Sequence, residues 1–128
     1  MTTALEAFLA DFHDRLPGGS SAAFGALAVH DEAGQTYESS YHALASRLAA
    51  APAGPVLDLA CGDGHLLALL AATGRARVGV DLSAGELRAA AARLGDGAAL
   101  HQARAQALPL ANGAVANATC HMALLLMA

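Results

Sequence analysis

Three carboxylates and a glycine turn stand together in a way that suits a charged ligand. Asp58 lies in the apolar run Val56-Leu57-Asp58-Leu59, Asp63 sits inside the turn Gly62-Asp63-Gly64, and Asp81 ends a second apolar run, Val78-Gly79-Val80. An apolar run, a glycine turn and then Leu66, Leu67, Leu69 and Leu70 read as strand, loop and helix of a doubly wound α/β sheet. Ligands of such sheets lie beyond the carboxyl ends of the strands. A dinucleotide loop needs a third glycine at position 67, so that helix and strand pack closely while backbone amides face a pyrophosphate, and this chain has Leu67 there. Asp58 and Asp63 would also repel a diphosphate. Their charge suits a cation instead, such as an ammonium or a sulfonium group.

On these residues the chain resembles the class I S-adenosylmethionine-dependent methyltransferases, in particular the small-molecule, type 11-like kind, whose glycine loop reads Asp-x-Gly-x-Gly-x-Gly. The stretch here is Asp58-Leu59-Ala60-Cys61-Gly62-Asp63-Gly64, with Ala60 where that family most often has its first glycine, a methyl-sized departure expected to narrow the loop only slightly. Val78-Gly79-Val80-Asp81-Leu82-Ser83 looks like the family's second strand, which implies that Asp81 takes both ribose hydroxyls. Ala105 to Leu110 is similar to the stretch after the third strand, and Val115 to Met127 to the fourth strand with its exit. The resemblance thus covers roughly residues 55–128. It implies S-adenosylmethionine as cofactor and a small-molecule methyl acceptor. The residues it places on the cofactor are Asp58, Ala60, Cys61, Gly62, Gly64, Asp81, Leu82, Ala105 and Gln106. Two positions depart from the family: Arg104 and Ala116 stand where it usually has acids, the first of which accepts from the adenine amino group. Adenine recognition then falls to the backbone amide of Ala105 and the side chain of Gln106.

A sulfonium already activates its methyl group, so the protein has only to place the acceptor in line and, for some acceptors, to take a proton. His121, at the end of the fourth strand and beside the methyl group in such enzymes, is the first candidate for that base; the alternative is that it merely ends a strand. His65 either borders the cofactor or is a solvated or helix-capping histidine, the latter being the expectation. His13, His30, His42 and His101 read as ordinary histidines. Tyr37 and Tyr41 either roof the cofactor or pack in the core, with ordinary packing expected for at least one of them. Cys61, His65, Cys120 and His121 form a rival zinc set, but their spacing matches no standard zinc motif, and no metal is expected.

Two parts must position these residues, divided at Ala51-Pro52-Ala53-Gly54-Pro55. Residues 1–50 read as a helical cap. Leu5, Phe8, Leu9, Phe12 and Leu16 mark the apolar face of one helix, Pro17 to Ser21 a flexible break, and Tyr37, Tyr41, Leu44 and Leu48 the face of another, with a third short helix left open over Ala22 to Val29. Residues 51–128 read as a partial Rossmann-like, mostly parallel sheet. Gly74 closes the helix begun at Gly64, Ser83 and Glu86 have capping-box spacing, that helix ends near Gly95, Ala99 to Ala103 is a third strand, and Asn112-Gly113 turns into the fourth. Right-handed crossovers then give the strand order three, two, one, four.

Composition narrows the partners. Net charge is −4, the seven basic residues are all Arg and scattered, and nucleic acid is therefore not expected as a substrate. No apolar run reaches the length of a membrane span, and Glu6, Asp11 and Asp14 stand where a signal peptide would be basic, so a cytoplasmic protein with reduced cysteines is expected. Four strands against the family's seven lead to the expectation of a truncated domain, inactive by itself and prone to self-association through an exposed fourth strand from Val115 to Met127. A non-catalytic S-adenosylmethionine-binding module and a fragment of a nicotinamide-dependent oxidoreductase are the alternative readings, Leu67 and the acidic loop opposing the latter.

Overall fold

The computed structural model describes residues 2–127. Its centre is a four-stranded parallel sheet built from β3 (Val56–Leu59), β4 (Arg77–Asp81), β5 (Ala99–Gln102) and β6 (Asn117–Thr119), in the spatial order β5-β4-β3-β6. That is the order the crossover rule requires, with the first strand of the sheet flanked by the second and the fourth. β3 is central and β4 next to it, so both strands must be apolar on two faces: Val56 and Val80 are almost wholly buried, as are Leu66, Leu67 and Leu70 from α4 (His65–Leu69) and its end. The packing leaves no room for a side chain at Gly79, where a Cβ would stand 2.8 Å from both Cys61 Sγ and Leu100 Cδ2.

α4 is a short helix, continued by a single tight turn over Ala71–Thr73 and closed by Gly74 in the left-handed conformation. α5 (Ala84–Leu94) crosses from β4 to β5 and ends at Gly95. The Ser83 and Glu86 pair makes half of a capping box. Ser83 Oγ accepts from the Glu86 amide, but Ser83 N–H donates to Asp81 and the Glu86 carboxylate turns away to the Gly18 amide.

The amino-terminal part holds α1 (Ala4–Arg15), α2 (Gly19–Gly25), a two-stranded hairpin of β1 (Val29–His30) and β2 (Thr36–Tyr37), and α3 (Ser40–Ala50). Three expectations change here. Gly19, Ser20 and Ser21 are the first turn of α2, not a flexible break, because the Gly18 amide and the Ser21 hydroxyl are tied to Glu86 and Asp63. Tyr37 belongs to the hairpin and not to the second amphipathic helix. The Asp31 carboxylate accepts from the amides of Ala33 and Gln35 and from the Tyr37 hydroxyl, which fixes a turn, and α3 starts only after its Ser39 cap. Most of the apolar stripe of α1 also points outward: Leu5, Phe8, Phe12 and Leu16 are exposed, Leu9 is half-buried, and the buried residue of that helix is Glu6.

The fourth strand is corrected as well. It is three residues long, and the chain leaves the sheet after Thr119 for a loop and a tight turn over Leu124–Leu126. The long apolar edge expected from Val115 to Met127 is therefore not formed, although Met122, Leu124 and Leu125 are exposed. Among the described residues no helix is long and apolar enough to cross a membrane.

Candidate functional site

A single cleft runs along the carboxyl ends of the strands. Its floor is the loop after β3, from Leu59 to Asp63; its sides are Asp81 and Leu82 after β4, Ala103, Ala105 and Gln106 after β5, and His121 to Ala123 after β6. Glu6, Leu9 and His13 of α1, Gly18 to Phe24 around α2, and Tyr41 of α3 form its roof.

The loop is shaped by left-handed residues. Ala60 has φ 60°, so this residue, standing where a glycine is usual, bears backbone strain on the order of 1–2 kcal/mol. Gly64 has φ 79°, and its absent side chain faces α5: a Cβ there would lie 2.8 Å from Leu94 Cδ1 and 3.3 Å from the Ala90 methyl. Gly64 does not line the cleft and serves the packing of loop on helix, whereas Ala60, Cys61, Gly62, Asp58, Asp81, Leu82, Ala105 and Gln106 all border it.

Asp81 is held by the loop it faces. Its Oδ2 accepts from the Gly62 amide at 2.8 Å and its Oδ1 from the Ser83 amide at 2.9 Å, which locks the rotamer and leaves each oxygen a further lone pair. Asp58 is different. It is 2 % exposed, and its Oδ1 has no hydrogen-bond partner among the described residues. Burial, reinforced by the neighbouring Asp81 charge, pushes its carboxyl up to about 8. An acid so placed costs free energy whenever it ionises, unless a cation comes to it.

Asp63, which the sequence groups with Asp58, is already answered. Arg93 Nη2 and Ser21 Oγ both donate to its Oδ2 at 2.7 Å. The acids of the cleft that no arginine matches are therefore Asp58, Asp81 and Glu86. Burial and then the Asp81 charge raise the Glu86 carboxyl, while the Gly18 amide at 3.0 Å and His13 Nδ1 at 3.3 Å oppose that shift.

The fourth side of the cleft is aromatic. His121, two residues beyond the end of β6, stacks on Tyr41 at 4.0 Å between ring centroids and meets Phe24 edge-on at 5.6 Å. Its Nε2 shares a 2.7 Å hydrogen bond with Ser40 Oγ. Burial, with a contribution from His65, lowers the His121 imidazole below the usual histidine range. Tyr41 is raised to about 12 by burial and the nearby acids, so it stays a neutral phenol. Of the two tyrosines only Tyr41 reaches the cleft.

Several lining residues carry no sequence motif. Glu6 accepts from Arg104 Nε at 2.7 Å and from the Thr3 amide at 2.6 Å, and these bonds hold its carboxyl below the ordinary range. The Thr3 and Glu6 spacing is a capping box that could have located the start of α1, but nothing local announces that Glu6 turns inward. Asp14, which does not line the cleft, accepts from Ser83 Oγ at 2.6 Å and from the Gly85 amide at 2.7 Å, which hold it low. His13, read as ordinary in the sequence, borders the cleft. Arg104 does not border it, its charge being matched by Glu6. Cys61 and Cys120 are both free thiols, and among the described residues no three His, Cys, Asp or Glu side chains are grouped to hold a metal.

Residues 56–128 match the family described as "Methyltransferase domain", which is more than half of the chain. No curated protein matches it. Three solved structures are similar in fold. A SAM-dependent methyltransferase from Geobacter sulfurreducens in complex with S-adenosyl-L-homocysteine has 23 % identity and a TM-score of 0.56, over 67 % of this chain and 36 % of that one. YjhP from E. coli has 24 % identity and a TM-score of 0.56, over 67 % and 37 %. Geranyl diphosphate methyltransferase in complex with GPP and sinefungin has 20 % identity and a TM-score of 0.61, over 91 % and 55 %. The chain thus spans little more than a third of the first two.

Proposed function

We propose that this chain, which belongs to the methyltransferase domain family, holds S-adenosylmethionine in the cleft and serves methyl transfer to a small molecule. The observation that carries the reading is Asp58: a buried carboxylate oxygen without a partner among the described residues, on a cleft whose other acids are held by amides, hydroxyls or arginines, is suited to a cation and opposes a diphosphate. Two of the structures of similar fold contain S-adenosylhomocysteine or sinefungin. Cofactor contacts are proposed for Asp58, Ala60, Cys61, Gly62, Asp81, Leu82, Ala105 and Gln106, with Asp81 accepting from the ribose hydroxyls through its two open lone pairs. Gly64 is assigned to the packing of the loop.

When bound, the cofactor supplies a methyl group on an electron-poor sulfur. His121 is proposed as the base that takes the acceptor's proton: its imidazole is neutral near pH 7, stacking on Tyr41 and the Ser40 hydrogen bond fix the ring, and Nδ1, the nitrogen not bonded to Ser40, is the atom that receives the proton. Tyr41 and Phe24 exclude water beside it. Free thiols at Cys61 and Cys120 are in keeping with a cytoplasmic setting.

Calorimetry tests the cofactor assignment. S-adenosylhomocysteine is expected to bind the chain, and Asp81→Ala to weaken that binding by about 1.5–3 kcal/mol, the scale of hydrogen bonds to a charged group. Tighter binding of NAD than of S-adenosylhomocysteine would overturn the reading.

A further inference from the structure

Two buried side-chain atoms lack a hydrogen-bond partner among the described residues, Asp58 Oδ1 and His65 Nε2, and both residues line the same cleft from the two ends of the glycine loop. One is an acceptor. The other is a donor, for a reason that the neighbouring side chains supply. Arg93 Nη1 lies 3.1 Å from His65 Nδ1, and a guanidinium has protons to give but no lone pair to accept with. Nδ1 must therefore accept, and the neutral ring carries its proton on Nε2. Arg93 is itself held by Asp63 at 2.7 Å, so the relay Asp63–Arg93–His65 fixes the tautomer and not only the position of the ring. Burial and the Arg93 charge keep this imidazole neutral. Tyr41 packs edge-on against the ring at 4.7 Å between centroids, which holds its plane.

An unmet donor and an unmet anionic acceptor beside one cleft call for a ligand group with the opposite pair. A free α-amino acid end supplies both with full charge, an ammonium beside a carboxylate, whereas the donors of a ribose or a base are neutral and do not offset the charge of a buried carboxylate. We infer that His65 and Asp58 together read the amino-acid end of the cofactor, His65 Nε2–H donating to its carboxylate and Asp58 accepting from its ammonium. This rests on the cofactor proposed above and goes beyond it by giving His65 a binding role. It also explains why Asp63 is neutralised: its charge is used to orient Arg93, which leaves a neutral donor and not a second anion on that side of the loop.

The test is a ratio of affinities on the full chain, measured by calorimetry with S-adenosylhomocysteine and with its decarboxylated analogue, which keeps the amine and lacks the carboxylate. The chain is expected to prefer S-adenosylhomocysteine at least ten-fold. His65→Phe should cut that preference to within about three-fold, while His65→Gln, whose amide restores a donor, should recover a good part of it. Thermal melts establish that each variant is folded. A ratio near one for the unaltered chain overturns the inference whatever the variants do, as does a folded His65→Phe chain that keeps the full preference. Failure of the unaltered chain to bind either compound contradicts the cofactor reading itself, a result distinct from binding both equally.

Discussion

The two halves of the molecule use their side chains in opposite ways. From β3 onward apolar residues go in and the polar ones that matter stand at strand ends, so Val56, Leu66, Leu67 and Val80 are buried and Asp58 and Asp81 meet the cleft. In α1 the order is reversed. Leu5, Phe8, Phe12 and Leu16 face outward, while Glu6, His13 and Asp14 face the rest of the protein. The surface that α1 meets explains the reversal: it is polar, offering Arg104, the Ser83 hydroxyl, the Gly85 amide and the Glu86 carboxylate, and apolar side chains would leave those groups without partners. The sheet is thus held by burial, and the roof over it by a polar seam.

The halves differ in their titration too. Glu6 and Asp14 have lowered carboxyls, so their contribution to stability is present above the unfolded-state values of 4.5 and 3.8 and is lost as the pH falls through the lower folded-state values. Asp58 is raised, so the native state holds its proton after the unfolded chain has lost it, and stability falls as the pH rises from about 3.8 toward 8. Acid loosens the seam. Base strains the sheet.

The largest expected effect lies where the glycine loop meets α5. Gly64→Val places a branched side chain at φ 79° and against Leu94, and is expected to destabilise the fold by about 3 kcal/mol or more, read as a shift in the denaturant midpoint. A folded Gly64→Val chain of unchanged stability that had lost only ligand binding would move Gly64 back into the cofactor site. Next comes Asp58→Asn. Relief of the buried charge should stabilise the chain by on the order of 2 kcal/mol at pH 8, with the gain shrinking toward pH 4. An equal gain at both pH values would mean that the buried charge is not its source. The smallest effect belongs to the roof. Phe8→Ser and Phe12→Ser should each change stability by less than about 0.5 kcal/mol, as for exposed sites. Losses of about 2 kcal/mol would show that the outer face of α1 is covered in solution, and the contrast drawn here would fail.

This contrast also marks what the sequence makes legible. The strand and loop from Val56 to Gly64, the cap at Ser83, the stop at Gly95 and the strand order depend on local residue types and a general handedness rule, and the structure has each of them. The helix of α1 is legible from its periodicity, but not its orientation, because the apolar stripe marks the buried face only when the partner surface is apolar. Glu6 and His13 meet the cleft through bonds to Arg104 and Glu86, across 98 and 73 positions of sequence, and no local pattern encodes such a pairing. The fourth strand is shorter than its apolar run for a related reason. An apolar run of Ala, Leu and Met does not distinguish a strand from a loop whose side chains remain exposed.

Asp58 is a buried acid waiting for a cation, and proton release on ligand binding is the direct test of that. S-adenosylhomocysteine is titrated into the chain at pH 7 in buffers of different ionisation enthalpy, alongside Asp58→Asn. The unaltered chain is expected to release close to one proton more than the variant, because an acid raised to about 8 is mostly protonated before the ammonium arrives and ionised afterwards. Equal proton release by the two proteins, with equal affinity, would contradict it.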